Sequence, residues 1–367
     1  MGKDRTLFMT GFPGFIGRRL IEKILEAEPS TSVVCLVEKR FEFKAREEVR
    51  RLSTNGGSRG PTVTVVVGDI TLPDLGLDAD VMAGLSERVT DVFHLAAVYD
   101  LAVPEPLARR VNVWGTRHVI DFCRSLRGLE RFVYYSTCYV SGTRTGTVYE
   151  DELDMGQSFK NHYESTKHDA EYLVRQAARE MPTIILRPSI VVGDQDTGEI
   201  PKFDGPYFAM VLVDKLARLR VPLPYLGELA AESNLVPVNY AVDATVALWR
   251  ADGAPGGTFA LADPHPMISR EIYAEIVRGV GALGPLGRIP PVLITAPLRL
   301  ARVRRLLGLP REILEYFNHP AHYDCSRAVE ALEPQGIVCP DVRSYLPRLI
   351  EYYMSNRERP ELRWQAR

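Results

Sequence analysis

The run Thr6-Leu7-Phe8-Met9-Thr10 leads directly into Gly11-Phe12-Pro13-Gly14-Phe15-Ile16-Gly17 and then into Leu20, Ile21, Ile24 and Leu25, an order that leaves few folds open. A short apolar run reads as a strand, and apolar residues at helical spacing read as one face of a helix that runs out near Glu28-Pro29. Strand, glycine turn and helix in that order form the context of a dinucleotide site. The glycines let the backbone approach a pyrophosphate, which then sits on the helix N-terminus. Further strand-like runs follow at SVVCLV (32–37), PTVTVVVG (61–68), DVFHLAA (91–97), RFVYYS (131–136) and TIILRPSIVVGD (183–194), the last running into a loop around Pro188. The chain is therefore expected to be α/β, with a Rossmann-like doubly wound parallel sheet and a smaller C-terminal lobe.

The stretch SFKNHYESTKHDAE (158–171) places Tyr163 and Lys167 on one face of a helix. A phenol with a pKa near ~10 is a poor acid at neutral pH, and an adjacent ammonium favours its phenolate. Strand RFVYYS delivers Ser136 and Thr137 to the carboxyl edge of the sheet, where α/β ligands bind. A hydroxyl there can hydrogen-bond a substrate oxygen while the tyrosine moves a proton. Glu38 ends the second strand, where an acid accepts from adenosine ribose hydroxyls and disfavours a 2′-phosphate. Lys39, Arg40 and Lys44 follow it and suit that same phosphate, so NAD and NADP both stay open.

Composition excludes several classes. With 367 residues, 46% hydrophobic and 25% charged, the chain has room for a large core, and a net charge of −2 gives no reason to expect nucleic acid. No apolar run is long enough to span a bilayer, and no signal-peptide region precedes Thr10-Gly11. Met1 to Thr6 formally fits a myristoylation pattern, but Thr6 already opens the first strand. The five cysteines are an odd count without CxxC spacing, which implies a reducing compartment, and the expected setting is cytoplasmic. No metal is expected, because no Cys, His or Asp cluster has ligand spacing and His319 and His322 flank Pro320.

The G-x-x-G-x-x-G spacing after a threonine resembles the extended branch of the short-chain dehydrogenase/reductase superfamily. LVEKR, GDIT, HLAAVYDL, VNVWGT, YYSTCYVSG, YESTKHDAEYLV and RPSIVVGDQDTG together look like its thioester-reductase branch. That branch includes fatty acyl-CoA reductases and the terminal reductase domains of carboxylic acid reductases. The resemblance covers roughly 5–265; most of these motifs belong to the whole superfamily, and RPSIVVGDQDTG points to the branch. It implies that Thr10, Gly11, Gly14, Phe15, Ile16 and Gly17 hold the cofactor diphosphate, with Glu38 and Lys39 at the ribose. It places Asp69 and Ile70 at the adenine, Leu95, Ala96 and Ala97 beside the pyrophosphate and ribose, and Pro188 and Ile190 beside the nicotinamide. His94 is expected to be a packed strand residue. Alignment of Val140-Ser141-Gly142 favours Thr137 over Ser136, and Asn112 is expected to support Lys167 through water. Lys167 itself is expected to hold the nicotinamide ribose and to lower the Tyr163 pKa. Members of the branch usually carry arginine where this chain has Glu38.

Residues 1–195 are expected to form the dinucleotide domain, 196–235 and 266–360 a substrate lobe, and 236–265 a return segment in which Asp243 caps or pairs. In FDGPYFAMVLV (203–213), Phe203, Tyr207, Phe208, Met210 and Val211 suit either an acyl channel or ordinary core, and Tyr99, Cys138 and Tyr139 complete the candidate substrate contacts. Arg299, Arg302, Arg304 and Arg305 flank a narrow Leu300, Val303, Leu307 stripe, which suits a membrane surface, the phosphates of coenzyme A or a solvated face. The expected activity is NAD(P)H-dependent reduction of an acyl thioester, on coenzyme A or a carrier protein, or of a related carbonyl compound. A ketone dehydrogenase or sugar-nucleotide epimerase on the same fold is the alternative, with a non-catalytic NAD(P) sensor behind it; a homodimer stays open.

Overall fold

The computed structural model describes residues 5–54, 62–100, 102–218, 220, 223–226, 229–285, 287–289 and 319–363. Its centre is a seven-stranded parallel sheet. The strands are β1 Thr6–Thr10, β2 Ser32–Val37, β3 Val63–Val67, β4 Asp91–His94, β5 Arg131–Tyr135, β6 Thr183–Pro188 and β7 Thr258–Leu261. Their spatial order is β3-β2-β1-β4-β5-β6-β7, so the chain leaves β1 in one direction and returns to its other side with β4. Loops at the carboxyl ends of β1 and β4 therefore diverge and leave a crevice between them.

The strands read as continuous apolar runs because both faces are covered. Leu7, Met9, Val33, Cys35 and Phe93 enter one core, against helices α1 Phe15–Ala27 and α7 Val238–Arg250. Phe8, Val34, Leu36 and Val92 enter the other, against α4 Gly115–Ser125 and α5 His162–Ala177. The same two-residue alternation sends Tyr135 to the first side and Tyr134 to the second. Asp243 does pair, with Lys23 Nζ at 2.8 Å, across the packed helices α1 and α7.

A third core forms the lobe. Helix α6 Tyr207–Ala217 packs between α8 Ser269–Gly279 and α10 Val342–Asn356 through Phe203, Tyr207, Met210, Tyr273, Leu346 and Tyr353. The short strand Leu235–Pro237 pairs with Ile190–Val192 and carries the chain back to the sheet. The lobe is not one continuous C-terminal piece. Ala321–Tyr323 pairs with Gly146–Val148, and helix α9 Ser326–Leu332 packs into the first sheet core. Glu150 fixes this return, its carboxylate accepting from the backbone N–H of Ala260, Arg327 and Ala328. The arginines between Arg299 and Arg305 lie outside the described residues.

Candidate active site

The glycine turn is built so that no side chain fits. Gly11 has φ of +92°, and a Cβ on Gly14 or Gly17 would lie 2.7 or 2.8 Å from the Gly11 carbonyl oxygen. Gly14 N donates to that oxygen at 2.9 Å and caps α1, whose first turn carries no acidic residue. The helix N-terminus is thus left with backbone N–H groups and a positive dipole end facing the crevice, a cradle that fits a dinucleotide diphosphate. Thr10 lies beneath the turn: its hydroxyl bonds His94 Nδ1 at 2.7 Å and accepts from Ala96 N at 3.1 Å. It therefore positions the Leu95–Ala97 loop and does not face the cavity. Burial pushes His94 down to about 3, so the ring is neutral and packed in the strand as expected.

Tyr163 and Lys167 project from the first turns of α5, which Asn161 caps by accepting from Glu164 N at 3.0 Å. Thr137 follows β5, and its oxygen accepts from Tyr139 N at 3.2 Å while its hydroxyl bonds the Tyr163 phenol. Burial pushes Tyr163 up to about 12, and the Thr137 contact opposes the shift. The net shift is upward because desolvation outweighs the Thr137 hydrogen bond. Lys167 Nζ donates to Tyr134 Oη at 2.9 Å and to the Tyr135 carbonyl at 2.6 Å. Burial lowers this lysine to about 7, with Glu171 opposing.

Asn112 bonds both the loop after β4 and helix α5 directly. It is buried on a π-helical turn, Arg109–Trp114, where it accepts from Val98 N at 2.8 Å and donates to Thr166 Oγ1 at 3.0 Å. Under the site, Ser136 Oγ donates to Glu171 at 2.5 Å, and Arg187 bonds both Glu171 oxygens at 3.0 and 2.7 Å. Burial alone would raise Glu171; Arg187, Arg175 and Ser136 bring it down to about 2. Ser136 is therefore tied downward and Thr137 faces the ligand side.

A cavity of about 580 Å³ runs from the glycine turn past Thr137, Tyr163 and Lys167 into the lobe. Phe15, Ile16, Leu95, Ala96, Ala97, Tyr99, Tyr139, Pro188 and Ile190 line it. Tyr99 packs edge-on to Tyr163, with ring centroids 5.6 Å apart. Three expected substrate contacts are placed elsewhere. Tyr207 and Met210 are buried in the lobe core, and Cys138 is buried in the sheet core with its thiol on the Arg187 carbonyl. Helix α6 instead turns Phe208, Ala209 and Leu212 to the cavity, opposite Ile272 and Ile276 of α8. Because the first seven residues of α6, Tyr207 to Val213, are all apolar or aromatic, their sequence does not say which stripe meets the ligand.

The outer cofactor candidates stand at strand ends beyond the cavity. Arg40 grips Glu38 through Nε at 2.7 Å and Nη2 at 3.0 Å, and Lys39 pairs with Glu42 at 2.7 Å. Asp69 accepts from Thr71 N at 2.8 Å, and Ile70 packs against Gly115, where a Cβ would lie 2.8 Å from Ile70 Cδ1. Among the described residues there is no group of three His, Cys, Asp or Glu side chains able to hold a metal, and no helix long and apolar enough to cross a membrane.

An NAD-binding family model described as Male sterility protein matches residues 9–245, from the glycine turn to the middle of α7. The chain belongs to the male sterility protein family. The Drosophila melanogaster fatty acyl-CoA reductase wat is 27% identical over 282 residues, covering 67% of this chain and 54% of that protein. The Penicillium chrysogenum L-2-aminoadipate reductase large subunit is 26% identical over 285 residues, covering 72% of this chain and 20% of that protein. Against the fatty acyl-CoA reductases it matches, this male sterility family chain spans about half their length. Among solved structures, the terminal R domain of the myxalamid PKS-NRPS pathway superposes with a TM-score of 0.80 and 26% identity, over 97% of this chain and 92% of that one. The Bacillus cereus UDP-glucuronic acid 4-epimerase bound to NAD superposes at 0.66 with 19% identity, over 96% and 97%, a likeness of fold. The male sterility family member is thus an extended short-chain dehydrogenase/reductase of the thioester-reductase-like branch, and its cofactor is NAD(P).

Proposed function

We propose that the chain reduces acyl thioesters, on coenzyme A or a carrier protein, through Thr137, Tyr163 and Lys167. The observation that carries this reading is the cavity itself. From Thr137 and Tyr163 it opens between α6 and α8, onto Phe208, Ala209, Leu212, Ile272 and Ile276. A sugar-nucleotide site needs converging polar groups for a diphosphate and many hydroxyls; apolar walls suit an acyl chain, whose burial contributes about 0.8 kcal/mol per methylene. The names of the fatty acyl-CoA and aminoadipate reductases support the same chemistry.

Bound NAD(P)H supplies the hydride. Thr137 and Tyr163 hold the carbonyl oxygen as charge develops on it, and the Tyr163 phenol, pushed up to about 12 by burial, keeps its proton at neutral pH and gives it to that oxygen. Lys167, fixed by its bonds to Tyr134 and Tyr135, would hold the nicotinamide ribose. With a thioester the first product is a hemithioacetal, which collapses to an aldehyde and a thiol. Cofactor oxidation followed with a panel of acyl-CoAs, aldehydes, ketones and sugar nucleotides tests the reading. Turnover of acyl-CoAs with kcat/KM rising with chain length supports it; turnover confined to ketones or sugar nucleotides refutes it.

A further inference from the structure

Among the described residues, the charged ones that line the cavity are Lys167, Lys202 and Asp204. Lys167 belongs to the acid–base cluster, whereas the other two sit on the lobe side, in the turn before α6. Lys202 Nζ stands 3.6 Å from Asp204 Oδ2. The turn itself uses the Asp204 backbone: its carbonyl, not its carboxylate, accepts from Tyr207 N at 3.1 Å.

Tyr99 joins this pair to the reacting end. Its ring lies edge-on to Tyr163 at 5.6 Å, and its hydroxyl is 4.0 Å from where a Cβ on Gly205 would be. Tyr99 therefore lies between the phenol that protonates the substrate and Gly205, the residue that follows Asp204 in the turn. Burial pushes the Asp204 carboxyl up to about 6, Lys202 opposing and Asp100 adding to the shift. A carboxylate in an apolar wall is costly unless a ligand donates to it.

We propose that Asp204 and Lys202 form an amide-recognition station, the Asp204 carboxylate accepting the N–H and the Lys202 ammonium donating to the C=O of a secondary amide in the thioester substrate. The inference rests on the thioester reading. Two parts of such a substrate carry this group: the pantetheine arm, whose first amide N–H is two methylenes from the sulfur, and an N-acylaminoacyl chain on the other side of the carbonyl. Acyl-CoA and carrier-protein thioesters share the pantetheine amide.

The test compares kcat/KM for an octanoyl group on N-acetylcysteamine and on 2-acetoxyethanethiol, which differ only in N–H against oxygen. Wild type is expected to prefer the amide by about tenfold or more, since the ester oxygen removes the donor that meets Asp204 and sets an acceptor against its carboxylate. Asp204→Ala brings that ratio near unity, and Asp204→Asn, which keeps an acceptor oxygen, retains part of it. Lys202→Met lowers both rates together, because both thiols carry the carbonyl. A second arm sets an N-hexanoylglycyl group against nonanoyl, both on pentanethiol; a preference confined to this arm assigns the station to the acyl chain. A wild-type ratio near unity in both arms, or a ratio unchanged by Asp204→Ala, overturns the proposal. If no thioester is reduced while aldehydes are, the thioester reading falls. The station is then judged by whether the amide thioester inhibits aldehyde reduction about tenfold better than the ester analogue, equal inhibition overturning it.

Discussion

Lys167 Nζ lies 2.9 Å from the hydroxyl of Tyr134 and 4.4 Å from the centre of its ring, so one tyrosine both accepts from the ammonium and offers it a π face. Tyr134 bonds Thr116, whose hydroxyl is 3.0 Å from His94 Nε2, and His94 Nδ1 is 2.7 Å from Thr10 under the glycine turn. A buried chain of hydrogen bonds thus joins the lysine to the loop that cradles the diphosphate.

Tyr134→Phe removes an acceptor that favours the charged lysine. Burial already lowers Lys167 to about 7. Loss of a hydrogen bond to a charged group, about 1.5 kcal/mol, lowers it by about one further unit. Activity that needs the ammonium is lost as pH rises through that value, so the falling limb of kcat/KM against pH should move about one unit toward acid. A profile of unchanged shape and reduced height contradicts the role.

Ala209→Trp narrows the cavity between α6 and α8. Wild-type kcat/KM should rise about fourfold per methylene until the cavity is filled, and the variant should reach its plateau at a shorter chain. Identical chain-length curves contradict an acyl channel at this wall. Met210→Arg, one position on, places a charge in the lobe core and should lower stability by several kcal/mol in urea unfolding.

Glu38→Arg exchanges a carboxylate for a bidentate phosphate partner and releases Arg40 from its ion pair. The ratio of kcat/KM for NADPH over NADH should increase by about tenfold or more. A ratio that does not move means that residue 38 lies away from the ribose.

The sheet is readable from the sequence because its strands are apolar runs punctuated by glycine and its helices keep one periodic face. The meeting of Thr137 with Tyr163 is readable for the same reason: one stands at a strand's carboxyl end and the other on the helix beside it. The bonds of Asn112 to Val98 and Thr166 are not readable, because they depend on how the π-helical turn at Arg109–Trp114 packs against α5. The Tyr134 support of Lys167 depends on which face of β5 meets α5, and adjacent tyrosines at 134 and 135 leave that choice open until the strand is packed. Tyr207 and Met210 mislead because no polar residue stands between Tyr207 and Val213 to orient that part of α6. The return of Ala321–Tyr323 to Gly146–Val148 joins segments far apart in the chain, which local patterning does not register.

The most direct measurement of the central claim is thiol release. With an acyl-CoA and limiting NAD(P)H, free thiol titrated against cofactor oxidised should appear in a one-to-one ratio where the aldehyde is the product, or one-to-two where it goes on to alcohol. Tyr163→Phe should lower both signals together by about a hundredfold or more while the affinity for NAD(P)H stays within a few-fold. Cofactor oxidation without thiol release, or a Tyr163→Phe enzyme releasing thiol at close to the wild-type rate, contradicts it.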